Sequence, residues 1–233
     1  MKKVLRITGL ILGIIILAVL VTAILFPALP TYFSVKKNCP NINDTVGVYT
    51  DSDISVPEDF IQAEIKGLII KAPAGTRNTE SDVIPFKDGK KFMVMVSQSE
   101  LSDYDFYDTE NKFSKQDYEH FCKKLNGSIP QNTVEDIKFL RNMTLKDCLK
   151  LRGTDIKIFE ELANYKEIVS DVETVSIYEN NGISGLLCDV GYNEEKEFFN
   201  LMFNHSGYEY IVTVMGEDSE TVKQVISSVT PAE

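Results

Sequence analysis

The chain has 233 residues, of which 43% are hydrophobic and 25% charged, with a formal net charge of −11 at neutral pH. That length has room for a membrane anchor and one domain that buries its own core without needing a metal or disulfide. Three cations and no acid precede residue 30, leaving 21 cations against 35 acids (−14) on the remainder, a surface that argues against nucleic acid as a partner.

The first thirty residues, MKKVLRITGLILGIIILAVLVTAILFPALP, put Lys2, Lys3 and Arg6 ahead of an uncharged run from Ile7 to Phe26. At about 1.5 Å rise per residue, a helix of that length crosses a hydrocarbon core of roughly 30 Å. Val21-Thr22-Ala23 offers a cleavage site, but a secretory signal has a shorter apolar region of about 7–15 residues. Residues 1–30 therefore read as a retained, single-pass anchor in the cell membrane. The slight excess of cations before the run, against Lys36 and Lys37 after it, places the C-terminal domain on the extracytoplasmic side. Residues 31–60, polar and rich in Asn, Asp and Pro, read as a linker, and 61–233 as one globular domain.

Along that domain, IKGLIIKAP (65–73) predicts a short buried strand. DVIPFKDGKKFMVMVSQ (82–98) predicts a hairpin around Asp88-Gly89, since that pair accepts positive φ. The acidic stretch 100–111 predicts a loop. Helices follow. Ser114 as N-cap, Asp117 three residues on and Gly127 at the far end frame a helix with Tyr118, Phe121, Cys122 and Leu125 on one stripe. Residues 133–143 predict a second helix. Thr144 and Asp147 cap a short third one carrying Leu145, Cys148 and Leu149. In 154–171, Ile158, Leu162, Tyr165 and Val169 share a face. The last third alternates around Asn181-Gly182 and again around Asn204–Gly207. Asp218 then caps a helix with Val222, Val225, Ile226 and Val229 at i, i+3, i+4 and i+7. This predicts a four-stranded antiparallel meander with a closing helix. The last two strands are apolar on both sides, which predicts helices over both faces of the sheet.

The arrangement resembles the PsbP-like α/β/α sandwich over about Ile65–Val229. The likeness is carried by GLIIKAPAG near the start and YEYIVTVMGEDSETVKQVISSV at the end, an aromatic strand, an acidic turn and a helix ending in Ile-Ser-Ser-Val. The resemblance implies an α+β fold, a mainly antiparallel sheet with helices on its faces. That family's members are mostly accessory and binding proteins, and it has no shared catalytic motif to carry over.

Residue chemistry points the same way. His205-Ser206 is the most enzyme-like neighbour pair, but Asn204, Ser206 and Gly207 are turn formers and no G-x-S-x-G elbow accompanies them. His120 and Cys122 are two apart on a predicted helix and do not face each other. Cys122, Cys148 and Cys188 sit in apolar patterns and read as core thiols, while an oxidising compartment would permit two disulfides among these and Cys39 in three pairings. No zinc signature is present, and the stretch from Asp51 and Asp53 has Val56 and Gln62 where a calcium loop needs glycine and glutamate. Neither metal nor cofactor is expected, and no catalytic residue is assigned.

The expectation from the sequence is an extracytoplasmic accessory or binding protein, anchored by its N-terminal helix and without catalytic activity of its own. A protein partner would meet the loop around Asp103, Tyr104, Asp105, Phe106 and Asp108, since loops on a rigid scaffold often carry recognition. The alternatives are an extracytoplasmic hydrolase whose residues assemble only in the fold, and an inhibitor or immunity-type protein.

Overall fold

The structure, a computed structural model, describes residues 2–49, 54–73, 83–85, 93–103, 112–125, 127–169, 174–191, 197–216 and 218–232. Of residues 2–10, 83–85, 103, 168 and 169 it describes the backbone alone. In chain order the elements are α1 (Lys2–Leu25), α2 (Leu29–Asn38), β1 (Gly47–Val48), β2 (Ile61–Ile65), β3 (Leu68–Ala72), β4 (Val83–Pro85), β5 (Met93–Glu100), α3 (Lys115–Leu125), α4 (Thr133–Asn142), α5 (Leu145–Cys148), α6 (Thr154–Val169), β6 (Thr174–Asn180), β7 (Ile183–Asp189), β8 (Glu197–His205), β9 (Tyr208–Gly216), α7 (Ser219–Ser228) and β10 (Thr230–Pro231). Short 3-10 helices lie at Pro40–Asn43 and Leu101–Asp103. The fold class is α+β. The chain forms two compact units: Met1–Asn43 with Asn111–Ile129 and Met143–Glu167, and Asp44–Glu110 with Pro130–Asn142 and Ile168–Glu233.

The first unit is helical. Pro27 ends α1, because the residue before a proline is pushed out of helical geometry, and Pro30 sits in the first turn of α2, where its missing N–H costs nothing. Among the described residues no single helix is long and apolar enough to cross a membrane. Ile11–Leu25 reaches that measure only together with Leu29–Asn38, across a bend of 78°. The junction is held from the side: Arg152 Nη2 donates to the Leu25 carbonyl at 3.2 Å, and Cys148 Sγ to the Ala28 carbonyl at 3.8 Å. A cation at the C-terminal end of α1 also suits the helix dipole.

Within the stretch that the sequence marks as a polar linker (31–60), the structure has most of α2 and the 3-10 turn at Pro40–Asn43, with Val35, Cys39 and Ile42 buried. Three apolar side chains spread over a polar stretch are enough to fix it on the unit. The capping box predicted for α3 is present: the Ser114 amide and hydroxyl donate to the Asp117 carboxylate at 3.0 and 2.6 Å, and the Asp117 amide donates back to Ser114 Oγ at 3.3 Å. Gly127 closes that helix at φ +92°, its amide bonded to the Cys122 carbonyl. Ahead of α5, the Thr144 amide and hydroxyl donate to the Asp147 carboxylate at 3.0 and 2.9 Å, but Leu149, expected on its apolar side, is 40% exposed. Asn43 Oδ1 adds a second cap by accepting from the Leu145 amide. On α6 the buried seam is Asp155, Ile158, Phe159, Leu162, Ala163 and Lys166. At 100° per residue that seam is centred on the Asp155–Lys166 line. Tyr165 lies about 90° off it, which is why it is exposed and not, as the spacing suggests, on the apolar face.

The second unit is built on a seven-stranded sheet, β1-β6-β7-β8-β9-β5-β4, and a three-stranded one, β10-β3-β2. The predicted meander is its centre, β6 to β9, all antiparallel. Asn181 and Gly182 (φ +51° and +76°) turn β6 into β7, and Ser206 and Gly207 (φ +50° and +83°) turn β8 into β9, the two-residue geometry that matches strand twist. A third such turn corrects the reading of 65–73 as one strand. Lys66 and Gly67 (φ +51° and +75°) reverse the chain between β2 and β3, a hairpin masked by lysine at the position where asparagine is the usual signal. β4 and β5 pair as predicted from Val83↔Met95 to Pro85↔Met93, while Asp88-Gly89 lies outside the described residues. Gly185 permits the close approach of β7 to β8, since a Cβ there would collide with the Met202 carbonyl and Phe203 Cβ.

Both faces of the large sheet are covered within this unit, as the doubly apolar strands imply, though not by helices alone. On one side Phe199, Leu201, Phe203, Tyr210, Val212 and Val214 pack with β3 and with Val222, Val225, Ile226 and Val229 at the end of the chain. On the other, Leu186, Cys188, Met202 and Ile211 meet Val134 and Ile137 of α4. The small sheet takes the place of a helix on the first side because β3 alternates Leu68, Ile70 and Ala72 inward with Ile69 and Lys71 outward.

Candidate functional site

Two constellations in the described residues have the makings of a site, one in each unit. The larger is a groove of about 510 Å³ in the second unit, on the outward side of the small sheet. Its floor comes from Ile69 and Lys71 of β3 and from Gln62 of β2, the cross-strand partner of Lys71. One wall is the β6–β7 turn with Asn180 and Asn181, and another is the end of α7 with Ser227 and Ser228. Val56, read in sequence as the position that spoils a calcium loop, lines the groove with Ile54.

Local chemistry fixes these walls. The last carbonyls of a helix have no partner within it. Here the β6–β7 hairpin supplies donors: Tyr178 Oη to the Ile226 carbonyl at 3.1 Å, and Asn181 Nδ2 to the Ser227 carbonyl at 2.7 Å, with Asn180 Nδ2 at 3.4 Å from the same oxygen. Burial pushes the Tyr178 hydroxyl upward in pKa, and a hydrogen bond with Asn180 partly opposes this. Ser228 stands where β10 would continue along β3. Its hydroxyl accepts from the Lys71 amide at 2.9 Å and lies 2.9 and 2.6 Å from the carbonyls of Lys71 and Val225, to one of which it donates at a time. The Ser227 hydroxyl, by contrast, is buried without a hydrogen-bond partner among the described residues. Among the described residues lining the groove, Lys71 is the one charged group, and the rest offer amides, hydroxyls and aliphatic surface. These groups equip the groove to hold a polar ligand through hydrogen bonds and one cation.

The second constellation is in the helical unit. Asp155, its side chain 4% exposed, accepts from Lys124 Nζ at 2.6 Å, and its other oxygen lies 3.1 Å from His120 Nδ1. A carboxylate orienting a histidine is the base-and-orienter half of a hydrolytic site. The other half is lacking: among the described residues no hydroxyl or thiol hydrogen-bonds the exposed ring of His120. The arrangement instead gives each oxygen of a buried carboxylate a nitrogen partner, the Lys124 ammonium on one and the His120 ring on the other. In sequence His120 invites comparison with Cys122, two positions away. Its true partner is on another helix, which no local spacing signals.

The other predicted residues settle individually. His205 is the final residue of β8 and Ser206 opens the turn, so the hairpin reading of that pair holds. All four cysteines are free and buried, including Cys39 of the supposed linker. Burial raises the thiol of Cys39, with Glu167 and Glu160 adding to it, and pushes those of Cys148 and Cys188 up to about 11. Among the described residues no three His, Cys, Asp or Glu side chains are grouped so as to hold a metal ion. Of the loop expected to meet a partner, Asp103 ends a 3-10 helix, and Tyr104, Asp105, Phe106 and Asp108 lie outside the described residues.

No protein-family model and no curated protein matches the chain. Among solved structures it is similar to the solution structure of cyanobacterial PsbP (CyanoP) from Synechocystis sp. PCC 6803, at 12% sequence identity and a TM-score of 0.34, over 75% of this chain and 94% of that one. The likeness is one of fold, and nothing about the chemistry of the groove follows from it.

Proposed function

We propose that the protein is a membrane-anchored, extracytoplasmic accessory or binding module without catalytic activity of its own. The observation that carries this reading is the state of α1: every large apolar side chain from Ile11 to Leu25 is 45–77% exposed. Such a surface is unfavourable in water by about 25 cal/mol per Å² and is at rest in lipid. The uncharged run begins at Ile7, so the whole of it is longer than the stretch with described side chains. Lys2, Lys3 and Arg6 support an N-terminus on the cytoplasmic side.

The groove beside β3 supports the binding half of the reading, because it gathers amides, hydroxyls and the Lys71 ammonium around one cavity. The anchor and its orientation are tested together. Membranes carrying the full chain are washed with alkaline carbonate, and intact cells stripped of their wall are treated with protease. Retention in the washed membranes with digestion from outside is the expected result. Release by the wash would sink the anchor, and protection from the protease would sink the orientation.

A further inference from the structure

The outer face of α2 carries an exposed aromatic ring beside two cations. Leu29, Pro30, Phe33, Lys36 and Lys37 are spaced three and four apart and therefore share one side of the helix. Val35, 2% exposed, is on the opposite side and turns toward the body of the helical unit, where Cys148 reaches the Ala28 carbonyl. Phe33 is 62% exposed, and Lys36 and Lys37 form the last turn. Neither lysine makes an ion pair among the described residues. α1 joins this helix at 78° with its apolar side chains exposed, so the two lie nearly at right angles.

We propose that this face of α2 docks on the surface of an anionic phospholipid bilayer, with Phe33 at the headgroup boundary and Lys36 and Lys37 against lipid phosphates. The proposal rests on the reading of α1 as a membrane anchor. If α1 crosses the bilayer, a helix at 78° to it runs along the membrane plane. An aromatic ring at the interface and lysines just beyond it are the side chains that such a position favours. Charge gives the direction. The chain after residue 30 carries −14, so an anionic bilayer repels it as a whole and admits it through a local cationic face. Each lysine close to such a surface strengthens attachment about fivefold, and salt weakens it. Arg152, bonded to the Leu25 carbonyl, ties the end of α1 to the helical unit beside this junction.

The chain has no tryptophan, so Phe33→Trp introduces a single reporter at an exposed site. The full chain is reconstituted in vesicles of phosphatidylcholine alone or mixed with phosphatidylglycerol, with lipids brominated near the headgroup end of the acyl chains. In the mixed vesicles the reporter's emission should shift to the blue and be quenched. Lys36→Gln with Lys37→Gln, or added salt, should reduce the quenching, while circular dichroism shows the helices unchanged. A water-like emission in mixed vesicles overturns the proposal, as does quenching indifferent to both lysines and lipid charge. An alkaline wash of the same vesicles separates the two readings. A chain that stays bound while its reporter remains in water overturns docking and leaves the anchor. A chain that washes off overturns both.

Discussion

The carboxylate of Glu209, near the start of β9, accepts hydrogen bonds from both the amide and the hydroxyl of Thr133, at 2.9 and 2.8 Å. Thr133 is the first residue of α4, and Glu209 is buried, 8% exposed. A helix N-terminus has unpaired N–H groups and a partial positive charge, so a buried carboxylate there is doubly suited. Asn132 completes the cap by accepting from the Glu135 amide at 2.9 Å. The sheet thus supplies a cap that holds α4 against one of its faces. Glu209→Ala should destabilise the second unit by about 1–3 kcal/mol, and Glu209→Gln by less, because the amide keeps an acceptor. Urea unfolding followed by circular dichroism checks this, and an unchanged midpoint for the alanine variant would refute the capping role.

Lys166 does a comparable job in the helical unit. Its ammonium, in a side chain 1% exposed, donates to the carbonyls of Ile42 and Met143 at 2.8 and 2.9 Å. Lys166→Met keeps the aliphatic reach but takes the donor from two carbonyls, at a cost of about 1–3 kcal/mol for each one left buried. The effect should appear as a lower melting temperature and faster amide exchange in α6 and around Ile42. Exchange that stays slow there would show that the lysine is dispensable.

The capping boxes make a pH prediction. Hydrogen bonds from the Ser114 hydroxyl and amide, with a smaller contribution from the charge of His120, hold the exposed Asp117 below the usual carboxylate range. At Asp147 burial acts upward, but the bonds from Lys150 and Thr144 outweigh it and the net shift is also downward. A depressed folded pKa stabilises above the unfolded value, near 3.9, and that contribution is lost as pH falls through the folded value. Exchange protection of the Ser114 and Thr144 amides, corrected for intrinsic rates, should hold down to about pH 4 and fall below it. Loss of protection already above about pH 5 would contradict the assignment.

The thiols give the simplest measurement. All four cysteines are free, and Cys148 and Cys188 titrate near 11, so little reactive thiolate exists at mildly alkaline pH. Iodoacetamide should leave the native chain unlabelled and modify four cysteines once it is unfolded in guanidinium without reductant. A count below four would reveal a disulfide.

What the sequence determined by itself is local. The Ser114–Asp117 and Thr144–Asp147 caps, the Asn181-Gly182 and Ser206-Gly207 turns, the final helix and the apolar N-terminal run are each encoded within a few residues, and the physics of φ, capping and periodicity acts over the same distance. The Lys66-Gly67 turn was legible only in part, because Gly67 marked it and Lys66 did not. Tertiary structure decided the rest. The cap from Glu209, the pairing of His120 with Asp155, the bonds from buried Lys166 to the Ile42 and Met143 carbonyls and the edge strands β1 and β10 all join residues far apart in the chain. The groove is the extreme case. Its walls come from the stretch ahead of β2, the small sheet, a hairpin turn and the end of a helix, and the signals these segments carry are for turns and caps, not for a ligand. The sequence specified the elements because each is stabilised by its own neighbours. The candidate site exists only because packing Leu68, Ile70, Val225 and Ile226 into one core brings β3 and α7 together.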